Sequence, residues 1–148
     1  MTDVVLTVTD TPSERAKEVI EHGLNGYNEE QAGYWDWRGL AVVISDPDTS
    51  EVLGGLLGRT SLGLLFIDLV FLPDSLRDRG LGSRILELAE TEARQRGCRG
   101  AVLYTISFQA PGFYERHGYR EFGRIPCEPP GTARVFMTKE LAPETRLA

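Results

Sequence analysis

The chain has 148 residues, 41% of them hydrophobic, and a formal net charge of −6. That length suits one compact domain with its own core, expected over residues 1–148. The acidic balance excludes broad, non-specific binding to nucleic acid, which needs a basic face.

Two cysteines, Cys98 and Cys127, make no disulfide framework, so a reducing cytoplasm is the expected setting. The apolar stretches are too short to span a bilayer and no charged-then-apolar leader is seen, so no membrane is expected. His22 and His117, with two distant cysteines, give no metal-ligand spacing.

In chain order, Val4 to Val8 is β-branched and weakly alternating, and reads as an opening strand. Thr11, Pro12 and Glu14 mark a helix start. The helix is predicted from Pro12 to about Leu24, with Ala16, Val19, Ile20 and Leu24 as its buried stripe. Asn25 to Arg38 has poor periodicity and collects Tyr27, Glu29, Glu30, Tyr34, Trp35, Asp36 and Trp37. It reads as a loop or a short second helix. Leu40 to Ile44 is a strand, Ser45 to Ser50 is turn chemistry, and Val52 to Arg59 returns as a glycine-rich strand. Leu64 to Phe71 follows as the central strand, which makes an antiparallel meander.

The helix from about Leu81 to Arg96 has Leu81, Ile85, Leu88, Ala89 and Ala93 on one face. Glu90–Arg94 and Glu92–Arg96 are expected outside as i,i+4 pairs, and Gly97 is the C-cap. Ala101 to Ile106 is a strand, parallel to the central one because a helix joins them. Pro111 to His117 makes a short helix stopped by Gly118. Tyr119 to Ile125 and Thr132 to Met137 close the sheet.

The densest chemistry lies between the central strand and the long helix, in Arg77-Asp78-Arg79-Gly80-Leu81-Gly82-Ser83. A helix start has four N–H groups without intrahelical partners and a positive dipole end. Glycines there allow close approach, and arginines add charge, so the turn suits a phosphate or diphosphate. The Ser83 hydroxyl could donate to such a phosphate. A Walker loop is excluded because no Gly-Lys occurs, and Ile85 stands where a dinucleotide fingerprint needs its third glycine.

Arg77-x-x-Gly80-x-Gly82 resembles the Arg/Gln-x-x-Gly-x-Gly/Ala motif of the GCN5-related N-acetyltransferases, the GNAT superfamily. Phe113-Tyr114-Glu115-Arg116-His117-Gly118-Tyr119 resembles the family's Tyr-x-x-x-Gly-Phe/Tyr segment. The two motifs fall in the family's order, and the likeness runs from about Val4 to Leu141. The resemblance implies an α/β (α+β) fold: a mixed, mostly antiparallel sheet of six to seven strands, about four helices, and splayed central strands. It implies acetyl-CoA as cosubstrate, with the diphosphate on Arg77 to Ser83 and the pantetheine along Val70, Phe71 and Leu72. Many relatives carry an Asn where this chain has Ser107, with Gln109 nearby, so either one of these replaces it in contacting the pantetheine or the contact is absent.

An amine of pKa near 10.4 is only about one part in 2,500 neutral at pH 7, a penalty of roughly 4–5 kcal/mol, so a base or a water path to one is useful. The oxyanion needs a donor, and the leaving thiolate needs a proton. By the resemblance Tyr114 is the acid and Asp68 the candidate base; a solvated outward carboxylate is the other reading of Asp68. Glu30, Trp35, Asp36 and Trp37 are candidates for the acceptor pocket. His117 beside Gly118 reads as a helix-end cation. The acceptor would be a small-molecule or peptide amine attacking acetyl-CoA directly in a ternary complex. A non-catalytic acyl-CoA-binding or partner-binding domain is the alternative. Exposed strand edges allow a homodimer.

Overall fold

The structure is a computed structural model describing residues 3–143. It divides into an N-terminal unit ending at Asp36 and a larger unit beginning at Trp37.

In the N-terminal unit, residues 4–8 lie outside any strand and are exposed, contrary to expectation. β-branched sequence favours a strand only where a ladder and a packing face exist. Helix α1 (Glu14–Ala32) starts later and runs further than the sequence suggested. Ser13, not Thr11, is its N-cap, and the Ser13 hydroxyl accepts from the Ala16 N–H at 3.1 Å. Asn25 to Ala32 continues the same helix, so there is neither a loop nor a second helix before Gly33. Glu29, Glu30, Gln31 and Ala32 are good helix formers, and they outweigh Gly23 and Gly26, each about 1 kcal/mol worse than Ala. Gly33, at φ +87°, closes the helix by donating to the Glu29 carbonyl at 2.8 Å. The predicted stripe is not buried: Val19, Ile20 and Leu24 are 53–69% exposed, and Ala16 is half-buried. Arg15, Lys17, Glu18 and Glu21 crowd these apolar positions, which leaves the stripe narrow.

The larger unit holds β1 (Trp37–Ser45), β2 (Val52–Ser61), β3 (Leu64–Phe71), α2 (Leu81–Gln95), β4 (Gly100–Ile106), α3 (Pro111–Arg116), β5 (Arg120–Cys127) and β6 (Thr132–Glu140). The six strands lie in the order β1-β2-β3-β4-β6-β5. Every pairing is antiparallel except β3 with β4, which α2 connects. The described residues therefore hold three α-helices and one 3-10 turn (Asp74–Leu76), where about four helices were expected. The turn from β1 to β2 is set by Asp46, whose Oδ1 accepts from the N–H groups of Thr49 and Asp48 at 3.0 and 2.8 Å. Those bonds hold the Asp46 carboxyl below its usual pKa.

Two departures from regular pairing shape the centre. In β3, Asp68 is an extra residue: Leu57 of β2 opposes Leu69, but Gly58 opposes Ile67. A bulge bends its strand and increases the local twist. The strands approach closely here, and a Cβ on Gly58 would lie 2.4 Å from the Phe66 carbonyl oxygen. In addition, β3 pairs with β4 only from Leu64–Gly100 to Ile67–Leu103. Beyond Ile67 the two strands part, as the resemblance implied.

The core lies between the sheet and α2, with Leu56, Leu65, Leu86, Val135 and Met137 fully buried. Three expectations for α2 are corrected. Leu88 is half exposed, while Leu86 takes a core position. Glu90 is only 3% exposed, and Arg96 is half-buried, so neither pair lies outside. Tyr119 donates to Glu90 Oε2 at 2.9 Å and Lys139 to Oε1 at 2.7 Å, with Arg94 at 3.6 Å. Arg96 bonds Glu92, the Gly39 carbonyl and the Thr60 hydroxyl, pinning the helix end to β1 and β2. A buried charge persists only when partnered in this way.

Candidate active site

Where β3 and β4 diverge, the sheet opens a cavity of about 1000 Å³. One wall is β3 from Ile67 to Phe71, continuing to Leu72, and the other is β4 from Leu103 to Ile106. Val70 and Phe71 pair with Leu56 and Gly55 of β2 on one side, but no strand meets them on the other. Alternate main-chain groups of an antiparallel strand point to each side, so part of this edge is left to a ligand.

The cavity ends at the opening of α2, where Gly80 to Ser83 line it. Asp78 and Gly80 both have positive φ, +61° and +74°. Such residues in a turn let successive N–H groups converge into an anion-binding nest. No side chain caps α2, so its opening N–H groups remain available. Gly82 is needed for packing: a Cβ there would sit 3.3 Å from the Phe113 ring and 3.4 Å from Leu72 Cδ1. Arg77 donates to the Leu72 carbonyl at 3.1 Å and pairs with Asp74 at 2.8 Å, which ties its charge to the turn. Arg77 and Asp78 line the cavity; Arg79 is exposed and does not.

Helix α3 supplies the cavity's floor. Tyr114 is 9% exposed and lines the cavity; its hydroxyl makes no hydrogen bond to the described residues, and because no fully buried polar side-chain atom among them lacks a partner, that hydroxyl is open to solvent. Burial raises its pKa, so the phenol stays protonated at neutral pH. The ring is wedged edge-on between Phe113 (centroids 5.1 Å) and Tyr119 (5.8 Å). The Tyr119 N–H donates to the Tyr114 carbonyl at 3.0 Å, so the Glu90 network braces this helix from behind. Burial and the Glu90 carboxylate push the Tyr119 phenol far above its ordinary range.

The other candidates divide. Asp68 lines the cavity, but its Oδ1 is held by Arg59 at 2.6 Å; Oδ2 has no partner among the described residues. The Arg59 guanidinium lies 4.6 Å over the Phe66 ring, which fixes the pair. Gln109 lines the cavity, while its Oε1 accepts from the Ile106 N–H and the Thr105 hydroxyl and folds the loop after β4. Ser107 is not brought to the cavity. Its N–H donates to Ala133 and its hydroxyl accepts from Ala133, extending the ladder between β4 and β6. Trp37 opens β1, half exposed and away from the lining residues. Glu30, Trp35 and Asp36 belong to the N-terminal unit.

Sequence reasoning missed Tyr104, Arg116 and Arg134 among the lining residues. Arg134 opposes Ile106 across the β4–β6 ladder, and its guanidinium lies 5.9 Å from the Tyr104 ring centre. No local pattern announces this, because β6 enters the sheet beside β4 only through long-range pairing.

Residues 11–119 match the Acetyltransferase (GNAT) family. The chain is 37% identical over 118 residues to the acetyltransferase Atu2258 of Agrobacterium fabrum, covering 80% of this chain and 85% of that protein. It is 43% identical over 95 residues to the blasticidin-S acetyltransferase of Streptomyces morookaense, covering 64% and 70%. The crystal structure of a proposed acetyltransferase from Agrobacterium tumefaciens superposes with a TM-score of 0.86 at 33% identity, over 93% of this chain and all of that one. An acetyltransferase structure from Bacillus cereus gives 0.73 at 30% identity, over 91% and 98%. The chain belongs to the GNAT family of acetyltransferases.

Proposed function

We propose that this protein transfers the acetyl group of acetyl-CoA to a primary amine of a small molecule, by direct attack in a ternary complex. The observation that carries the reading is the cavity opened by the parting of β3 and β4. It ends at an uncapped helix start and is lined by a largely buried tyrosine. The opening N–H groups of α2 bind the diphosphate, helped by Arg77. The free edge at Val70 to Leu72 holds the pantetheine and offers an N–H to the thioester oxygen as it gains charge. Oδ2 of Asp68 attracts the acceptor's ammonium and takes its proton through water. The amine nitrogen then bonds to the acyl carbon, the carbon–sulfur bond breaks, and Tyr114 gives its proton to the thiolate. The amine's remaining proton returns through solvent to Tyr114.

A small cationic acceptor is favoured by the relative that acts on blasticidin S and by the carboxylate of Asp68 at the cavity wall. A free-thiol assay over a panel of small amines, polyamines, amine-bearing antibiotics and peptides tests the proposal. Acceptor-dependent CoA release, reduced about tenfold or more in Asp68→Asn, is expected. Coenzyme binding with no release for any amine would instead mark a binding module, and release with peptides alone would overturn the small-molecule acceptor.

A further inference from the structure

The Ser83 hydroxyl lies in the first turn of α2, on the cavity wall. Behind it, 2.9 Å away, is Nε2 of His117 at the end of α3. The imidazole is half-buried and packs tilted, 4.8 Å between ring centres, against the Phe113 ring, the same ring that packs under Gly82. The contact therefore joins the turn proposed for the diphosphate to the helix bearing Tyr114, and its geometry is held by packing. The charged groups on the surrounding elements are Arg84, Glu87, Glu90, Glu92 and Arg94 of α2, Glu115 and Arg116 of α3, and Arg134, Lys139 and Glu140 of β6. Lys139 approaches Gly118, but its ammonium is held by Glu90.

A serine hydroxyl has one proton to give. When Nε2 is bare, that proton goes to the imidazole and a lone pair faces the cavity, which repels an anion. When Nε2 carries hydrogen, the hydroxyl accepts from it and its own proton is free for a phosphate oxygen. The neutral ring can place its hydrogen on either nitrogen, whereas the imidazolium always carries one at Nε2.

We propose that His117 is a positioning residue for the coenzyme's diphosphate: through Ser83 it makes diphosphate affinity depend on whether its Nε2 carries a proton. This rests on the diphosphate occupying the α2 turn as described above. Affinity is then highest at acidic pH, where the ring is the imidazolium, and falls as pH rises. By reciprocity, binding favours the Nε2-protonated ring.

The test is calorimetric titration with 3′-dephospho-CoA from pH 5.5 to 8.5, because its diphosphate does not titrate in that range whereas a phosphomonoester does. Wild type should weaken by about three- to tenfold across the range, less than the full loss of a hydrogen bond to a charged group because the neutral ring can still place its hydrogen on Nε2. Ser83→Ala should bind weakly with no such slope; His117→Phe, in which the serine proton has no imidazole to go to, should lose the slope without the weak binding of wild type at high pH; and His117→Gln, whose amide can donate at every pH, should bind well throughout. Thermal melts establish that the variants are folded. Imidazole nitrogen NMR gives a second readout: there are two histidines, so the His117 signal is identified by the Gln variant. Probe binding should move it toward the Nε2-protonated form and leave His22 unchanged. Tight binding with the same pH slope in wild type, Ser83→Ala and His117→Phe would overturn the inference alone. No binding by folded wild type at any pH would overturn the diphosphate site and the inference with it.

Discussion

Replacing Glu90 by Leu tests how α3 and its tyrosine are held. Glu90 is nearly fully buried, and its two oxygens take Tyr119 at 2.9 Å and Lys139 at 2.7 Å. Leucine is close in volume, so the cavity term is small and the cost is electrostatic. The Tyr119 hydroxyl would be left buried without an acceptor, at about 1–3 kcal/mol. Lys139 would lose its counter-charge; breaking a buried pair costs about 3–5 kcal/mol. The Lys139 side chain is 23% exposed, so it regains some water, and Arg94 is freed to solvent from 32% exposure. A net loss of about 3 kcal/mol is expected, which for a chain of this length lowers Tm by roughly 6–12 °C. Differential scanning calorimetry at pH 7 measures it. Tyr119→Phe removes one donor and leaves Lys139 paired, so it should cost about 1 kcal/mol. A Glu90→Leu protein melting within about 2 °C of wild type, or above it, would refute the reasoning.

Two further expectations follow from the tyrosines. Tyr114→Phe should lower kcat at least tenfold while leaving coenzyme affinity and Tm nearly unchanged, because its hydroxyl has no hydrogen-bond partner among the described residues to lose; steady-state kinetics with unaltered turnover would remove it from the mechanism. Burial raises both Tyr114 and Tyr119 above the unfolded value near 10, so their contribution is complete below pH 10 and lost as pH rises beyond it. Denaturant unfolding should show stability falling by up to about 2.7 kcal/mol per pH unit above pH 10, with half that slope in Tyr119→Phe; equal slopes in the two proteins would contradict it.

The larger unit was legible where signals are local. Arg77 to Ser83 announced a helix start, and the helix begins at Leu81 as read. The parallel pairing of β3 and β4 followed from the intervening helix. What failed needed partners distant in sequence. Glu90 looked like a surface residue because its ion-pair partner Arg94 is four residues on, yet its closest partners are Tyr119 and Lys139. Ser107 was assigned to the ligand by position in a motif, and the ladder to Ala133 claims it instead. Arg134 reaches the cavity because β6 inserts between β4 and β5, an order no periodicity encodes. In the N-terminal unit, periodicity at Val19, Ile20 and Leu24 gave the helix correctly but not its burial.

The account stands on the coenzyme's diphosphate resting at the opening of α2. Calorimetric titration of acetyl-CoA into wild type and into Gly82→Val measures this directly. Valine's branches would displace the Phe113 ring that a bare Cβ already meets at 3.3 Å, pushing the first turn of α2 out of line. One-to-one micromolar binding by wild type, weakened at least tenfold in a folded Gly82→Val protein, is the predicted result. Equal affinity in both proteins, or no heat from wild type at millimolar coenzyme, would contradict it.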